Sequence, residues 1–421
     1  MSVYKKIFFS GFRNAFHLLT GNVLSQIISL IALIYITRNL GPERFGTYSL
    51  VLSFVTIFAF LNLPGIDRVL MIEGSRRIEK IPELVSESFN VKVLSSFLSV
   101  LVVILFSLFT PYDKEIILLI ILFSTSLFFT GFLGYFTSIF QSHERMEFIS
   151  MFRISRTSFF ALGSVCLIYL GFGVLHLIAL ALCSFAISSF FHHHYAKTLS
   201  DYKISIIKPI SYPRFREALT YSAISMVGLA AGKIEILILS VLTNTYEIGL
   251  FVVPLSLVNR SVILRNALSV GFGPTIIKNL ESFNWFKVFF ASFVVLLFVG
   301  TGCLFVNFFS EDIVVFLLGS QYIESYLLLE VMVFSVAFSF ATIPYVLILQ
   351  ATNNSNAILL SSFFSLIIQV PLTFLMYNNY GLIGIAYSSL IAYFLVWFFM
   401  VTYGSYVIHT NVHRKAFNSQ G

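Results

Sequence analysis

Residues Tyr221 to Ser240 read Y-S-A-I-S-M-V-G-L-A-A-G-K-I-E-I-L-I-L-S. Such a run is long and apolar enough to cross a bilayer, because about 20 helical residues at a 1.5 Å rise span roughly 30 Å of hydrocarbon. Two ionisable residues, Lys233 and Glu235, nevertheless lie inside it. A lipid-facing charge costs roughly 2.5 to 3.5 kcal/mol even on the forgiving insertion scale, so ionisable groups in spans usually face a bundle interior or a water-filled cavity. Two positions apart is about 200° around a helix, so these two cannot face each other. Arg260 and Arg265, in the next apolar segment, pose the same question and project about 140° from one another.

Outward from that stretch the composition agrees. The chain has 421 residues, 58% hydrophobic and only 11% charged, with a mean hydropathy of +0.91. A soluble globule carries about 25% charged residues, so that class is excluded. Long apolar runs with short polar links indicate an all-α integral membrane protein, since a spanning barrel would show ~10-residue alternating segments. Cys166, Cys183 and Cys303 all sit in apolar runs and form neither a disulfide framework nor a metal site. The net charge is +7, but its placement argues for membrane topology rather than a nucleic-acid partner.

Hydropathy predicts twelve transmembrane helices, near 15–36, 47–66, 91–110, 116–140, 157–171, 174–191, 218–240, 249–270, 288–309, 326–350, 357–377 and 382–403. The first is too long for a signal-peptide core and lacks a cleavage pattern, so it reads as a retained span. With the N-terminus placed in the cytoplasm, twenty of the 26 Lys and Arg fall on the inner side, three outside (Arg38, Arg44, Lys114) and three within spans (Lys233, Arg260, Arg265). The positive-inside rule then places both termini in the cytoplasm.

The longest polar piece, 192–217, carries Pro209 and Pro213 and divides the spans into two sets of six. The expected organisation is a six-helix bundle over 1–195, a basic cytoplasmic linker over 196–216 and a second six-helix bundle over 217–421. After the first span comes R-N-L-G-P-E-R-F-G-T-Y (38–48), and after the seventh L-T-N-T-Y-E-I-G-L-F (242–251). Glu43 and Glu247 sit alike in the two, and repeats of even span number share an orientation, which points to a pseudo-two-fold along the membrane normal.

The stretch T-R-N-L-G-P-E-R-F-G-T-Y (37–48) resembles the N-terminal signature of the Wzx-type O-antigen flippases, the polysaccharide repeat-unit transporters of the multidrug, oligosaccharidyl-lipid and polysaccharide exporter superfamily. G-L-F (249–251), Pro274, L-L-G-S-Q-Y (317–322) and Y-G-L-I-G-I-A (380–386) fall in the family's order, so the resemblance covers essentially the whole chain. Where many relatives carry an acidic residue in span seven, this chain has Lys233-Ile234-Glu235. The resemblance implies a flippase that turns an undecaprenyl-diphosphate-linked glycan from the inner to the outer leaflet, through a cavity between the bundles. Its implied partners are that glycan carrier, membrane lipids, and a polysaccharide polymerase with chain-length proteins. No nucleic acid and no cofactor is expected.

Several residues have two readings. Lys233, Arg260 and Arg265 either line the cavity as counter-charges for the diphosphate, a task suited to the Arg fork, or serve packing: Glu235 pairs with Arg260 while Lys233 snorkels to the interface. His17 and His176 are candidate substrate contacts. Asp67 and Arg68 follow L-N-L-P-G, where Pro64 and Gly65 can break a helix and expose backbone to a cavity, or simply end it. G-L-A-A-G-K (228–233) is one residue short of a phosphate loop and lies in an apolar helix, so no nucleotide site exists there. His192, His193 and His194 splay over 200° on a helix and cannot close on one metal. Two other functions fit less well. A cationic-drug exporter wants acidic spans, and a membrane polymerase wants a large outer loop with a catalytic pair, whereas the longest outer link is about Ser310 to Ser325.

Overall fold

A chain in hydrocarbon must satisfy its backbone amides internally, and this one is helical, with no strand among the described residues. The structure is a computed structural model that describes residues 3–202, 210–278, 284–352, 354–407 and 410. Eleven described segments are long and apolar enough to span a bilayer. The first, Arg13–Asn62, has 50 residues, about twice what one crossing needs. Helix α1 (Val3–Ile57) bends inside it at Gly41, whose φ of 77° suits glycine, with Pro42 next. Counting two crossings there gives twelve, as the sequence predicts.

The chain forms two compact units, Met1–Lys233 and Ile234–Gly421. In the first, α1 gives way to a 3-10 turn over Phe58–Asn62 and then to Leu63, left-handed at φ 49°. α2 (Pro64–Arg76) starts on a proline in the first turn, where the missing N–H is harmless. The helix break read at Pro64 is therefore present. There follow α3 (Ile81–Ser107), α4 (Lys114–Ser124), α5 (Ser126–Ser142), α6 (Met146–Tyr169) and α7 (Val174–Leu199). Ile66, Leu70, Ile81, Val85, Ile139 and Phe140 form the centre of its core.

The division between units falls inside α8 (Tyr212–Leu242), not at the 196–216 segment, of which 203–209 lie outside the described residues. The first half of α8 belongs to the N-terminal unit for a physical reason. A Cβ on Gly65 would sit 1.8 Å from the Ala218 carbonyl oxygen, so glycine alone allows α2 and α8 to touch backbone to backbone. The Gly65 N–H donates to Ser222 Oγ at 3.0 Å. Arg214 then forks onto Glu73 of α2 (2.8 Å) and Glu87 of α3 (2.5 Å).

α6 begins well before the expected span 157–171, so Arg153 and Arg156, tallied as loop cations, are half-buried on a helix. The Arg156 guanidinium lies 4.7 Å from the Phe185 ring centre, an arrangement that offsets part of its desolvation. His192 is buried, its ring 4.6 Å from that of Phe152, and its Nδ1 donates to the Ser188 carbonyl at 2.7 Å.

The second unit continues through α9 (Thr245–Lys278), α10 (Trp285–Phe308), α11 (Ser310–Leu318), α12 (Ser325–Ala341), α13 (Ile343–Ala351), α14 (Ser355–Tyr380) and α15 (Leu382–Phe399). Small residues set its helix contacts, as expected where lipid supplies no hydrophobic drive between helices. Ser292 Oγ donates to the Ala341 carbonyl (2.6 Å) and accepts from Trp397 Nε1 (3.0 Å), tying α10 to α12 and α15.

Candidate functional site

Glu235 is 7% exposed, on the last turns of α8. Its Oε1 accepts hydrogen bonds from Ser389 Oγ at 2.6 Å and from Gln369 Nε2. Two neutral donors from α15 and α14 thus fill the role the sequence reading gave to Arg260. Around them, Thr373 Oγ1 donates to the Gln369 carbonyl at 2.8 Å and lies 3.0 Å from Ser388 Oγ. A buried carboxylate whose donors among the described residues are neutral carries a large desolvation penalty as an anion. The surrounding oxygens suit a proton or a hard cation. Among the described residues no group of three His, Cys, Asp or Glu could hold a metal ion.

Lys233 is half-buried two residues earlier on α8. Arg260 and Arg265 are likewise half-buried on α9. Arg265 Nη1 donates to Ser339 Oγ of α12 at 2.9 Å, a neutral partner. His17 is half-buried on α1, and its carbonyl accepts from Ser150 Oγ of α6 at 2.6 Å. His176 is exposed at the start of α7, its ring 4.4 Å from that of Phe172. The candidates therefore sit on several helices of both units, and Glu235, Arg265 and Asp67 each pair with a residue the sequence reading had not singled out.

The N-terminal unit holds a second polar centre. Lys92 is fully buried, and its Nζ donates to Asp67 Oδ1 at 2.8 Å and to the Asn62 carbonyl at 2.9 Å. Asn62 Nδ2 donates to the Leu127 carbonyl at 2.8 Å, and its Oδ1 accepts from Ser99 Oγ. The break at Leu63 frees the Asn62 carbonyl, and Lys92 takes it up. Gly131 and Gly134 of α5 make room: a Cβ would lie 2.7 Å from Ser96 Oγ at the first and 2.5 Å from Asp67 Oδ2 at the second. Lys92 had been counted as a cytoplasmic cation, which this placement corrects. The missed signal was periodic, since Ser88, Lys92, Ser95 and Ser99 recur at i, i+4, i+7 and i+11 along one face of α3. Arg68, next to Asp67, is exposed.

Twelve apolar crossings with charges held inside them define a multi-pass helical membrane protein. Residues 12–264 match the family model described as polysaccharide biosynthesis protein, and the chain belongs to that family. No curated protein sequence matches it. In fold the chain is similar to an inward-facing multidrug resistance MATE family transporter of the MOP superfamily (TM-score 0.71, 14% identity, 92% of this chain and 96% of that one). It is similar also to the lipid II flippase MurJ in an inward closed conformation (TM-score 0.72, 13% identity, 95% and 91%). A MOP superfamily transporter from Pyrococcus furiosus, described as having a binding pocket of reversed polarity, matches at TM-score 0.65 and 13% identity over 96% and 95% of the two chains.

Proposed function

We propose that this protein is a flippase that moves undecaprenyl-diphosphate-linked oligosaccharide repeat units from the inner to the outer leaflet of the bacterial inner membrane, by alternating access of its two units. The observation that carries the reading is Arg265, a half-buried cation in an apolar helix whose described hydrogen-bond partner is a neutral hydroxyl. With Lys233 and Arg260 it supplies counter-charge for a diphosphate, which guanidinium groups bind through paired N–H donors. Family membership supports a glycan passenger, and likeness to a flippase of lipid II supports a lipid-linked one. His17 and His176 are proposed as secondary contacts to the sugar. Glu235 is proposed as the coupling residue, because a buried carboxylate among neutral oxygens can load and release a proton or cation as the surroundings change. Asp67 with Lys92 is assigned a structural role. A polymerase and chain-length proteins would act on the delivered units.

The test is transport of a fluorescent polyprenyl-diphosphate oligosaccharide in vesicles holding the purified protein. Loss of transport in the Lys233→Ala, Arg260→Ala and Arg265→Ala proteins at normal folded yield supports the reading; full transport in all three would sink it. Glu235 also favours a second reading, an ion-coupled drug or metabolite exporter, which ion-driven efflux of an organic cation by the same vesicles would reveal.

A further inference from the structure

An open chamber of about 740 Å³ lies in the second unit, walled by α9, α10, α11 and α12, with its Leu264 and Phe298 exposed. Its lining is apolar, with Leu257 and Leu264 of α9, Val306 of α10 and Leu329 and Val333 of α12 among the walls, and it includes no charged side chain. The polar groups on its α10 side already have acceptors: Thr301 Oγ1 donates to the Phe298 carbonyl at 2.7 Å, and Cys303 Sγ to the Val333 carbonyl at 3.2 Å. Gly302, on the same wall, has open space beside it, for a Cβ there would meet nothing within 4 Å. One end is different. Leu264 and Phe340 line the chamber, and the residues next to them in the chain, Arg265 and Ser339, are hydrogen-bonded to each other. The cavity is thus an apolar cleft with a cation one residue beyond its lining, set among membrane-spanning helices.

Pockets for drug-sized ligands fix their occupant with a few convergent polar groups. This wall presents almost none. A flexible hydrocarbon needs only apolar surface, and each methylene buried adds favourable free energy without directional contacts. The cation at the end adds the complement of an anionic head, whose phosphate oxygens a guanidinium binds.

We propose that this chamber takes a stretch of the isoprenoid chain of the polyprenyl diphosphate carrier while Arg265 engages the diphosphate, so that chain and head are held by neighbouring parts of one unit during transfer. The assignment rests on the flippase reading for the identity of the carrier. It goes further in placing the chain against the protein, which makes α9, α10 and α12 determinants of selectivity for the lipid anchor.

The test uses the full chain in nanodiscs of phosphatidylethanolamine and phosphatidylglycerol, with undecaprenyl diphosphate bearing a diazirine on its chain as the probe. Adducts mapped by mass spectrometry are expected on the chamber walls of α9, α10 and α12, displaced by unlabelled undecaprenyl diphosphate. Gly302→Phe, which projects a ring into the chamber, should lower their yield at least about tenfold, the effect of excluding two or more buried methylenes. Gly302→Ala should leave it unchanged. If Gly302→Phe does not give a monodisperse protein, Val306→Trp fills the same space from the same helix. Adducts elsewhere, equal displacement by added phosphatidylglycerol, or an undiminished yield in a folded filling variant would each overturn the proposal. Transport assayed on the same samples separates the two readings. Wild-type protein that moves glycan carrier while chamber adducts are absent keeps the flippase and removes the chain site; chamber adducts without any transport do the reverse.

Discussion

Lys92 Nζ lies 2.8 Å from Asp67 Oδ1, with the lysine wholly buried near the middle of α3 and the aspartate side chain 16% exposed. Removing one member of a buried pair leaves an uncompensated charge, which typically costs about 3–5 kcal/mol. Lys92→Met should therefore cut the yield of folded, detergent-extracted protein and lower its thermal midpoint sharply. Replacing both partners, Lys92→Met with Asp67→Leu, should recover most of the loss, because an apolar pair of similar volume removes the stranded anion. Thermal unfolding of the purified variants measures this; a double variant no better than the single would show that the pair is not the dominant contact.

What could be read from the sequence was what depends on local order. Apolar run length gave the spans, and Pro64 after Leu63 gave the helix break. Long-range partners were hidden. Gln369 and Ser389 reach Glu235 from 134 and 154 positions away, and nothing within α8 distinguishes neutral donors from the cation Arg260. Lys92, Arg153 and Arg156 were misplaced for one reason: a charge at the edge of an apolar run looks like the start of a loop, and only the packing of α3 and α6 shows that the helix continues past it.

The close approach of α2 and α8 predicts a graded response to added methyl groups. At Gly65 the new Cβ would meet backbone, the Ala218 carbonyl at 1.8 Å, and at Gly384 the Met376 carbonyl at 2.1 Å. Backbone cannot swing aside as a side chain can, so Gly65→Ala and Gly384→Ala should destabilise by about 1–3 kcal/mol, the usual range for overpacking. A methyl group added at Gly228 or Gly232 of α8 would have no neighbour within 4 Å, and alanine there should be neutral or slightly stabilising, since glycine is the poorer helix former. Thermal midpoints of the four variants should fall into those two groups.

Glu235→Gln retains the side chain's shape and an acceptor oxygen for Ser389 while removing the charge. Folding should be preserved, because a neutral amide is easier to bury than a carboxylate. Coupling should not survive. In vesicles the variant should bind glycan carrier but lose the response of transport to an imposed proton or sodium gradient, and a response equal to wild type would remove Glu235 from the coupling role.

Shifting Lys92, Arg153 and Arg156 from loops into helices reduces the tally of inner-side cations, yet those that remain still far outnumber the three expected outside, Arg38, Arg44 and Lys114. Orientation follows that bias. Cysteine reporters at Asp201 and at Ser320, in a background without native cysteines, should be labelled from opposite sides of intact spheroplasts, Ser320 from outside and Asp201 only after the membrane is opened. Outside labelling of Asp201 would invert the topology.

Arg265 gives the most direct test of the proposed contact to an anionic head. Its Nη1 donates to Ser339 Oγ, a bond that fixes the orientation of the fork of five N–H donors. A hydrogen bond to a charged group contributes about 1.5–3 kcal/mol, which corresponds to roughly 10- to 100-fold in apparent affinity. Arg265→Ala should lose that factor for carrier binding. Arg265→Lys keeps the charge but not the planar fork and should fall between, whereas Ser339→Ala, which only frees the guanidinium to turn, should cost less than either. Titration of the four proteins with undecaprenyl diphosphate reads the order, and a lysine variant equal to wild type would mean that charge alone, without bidentate geometry, does the binding.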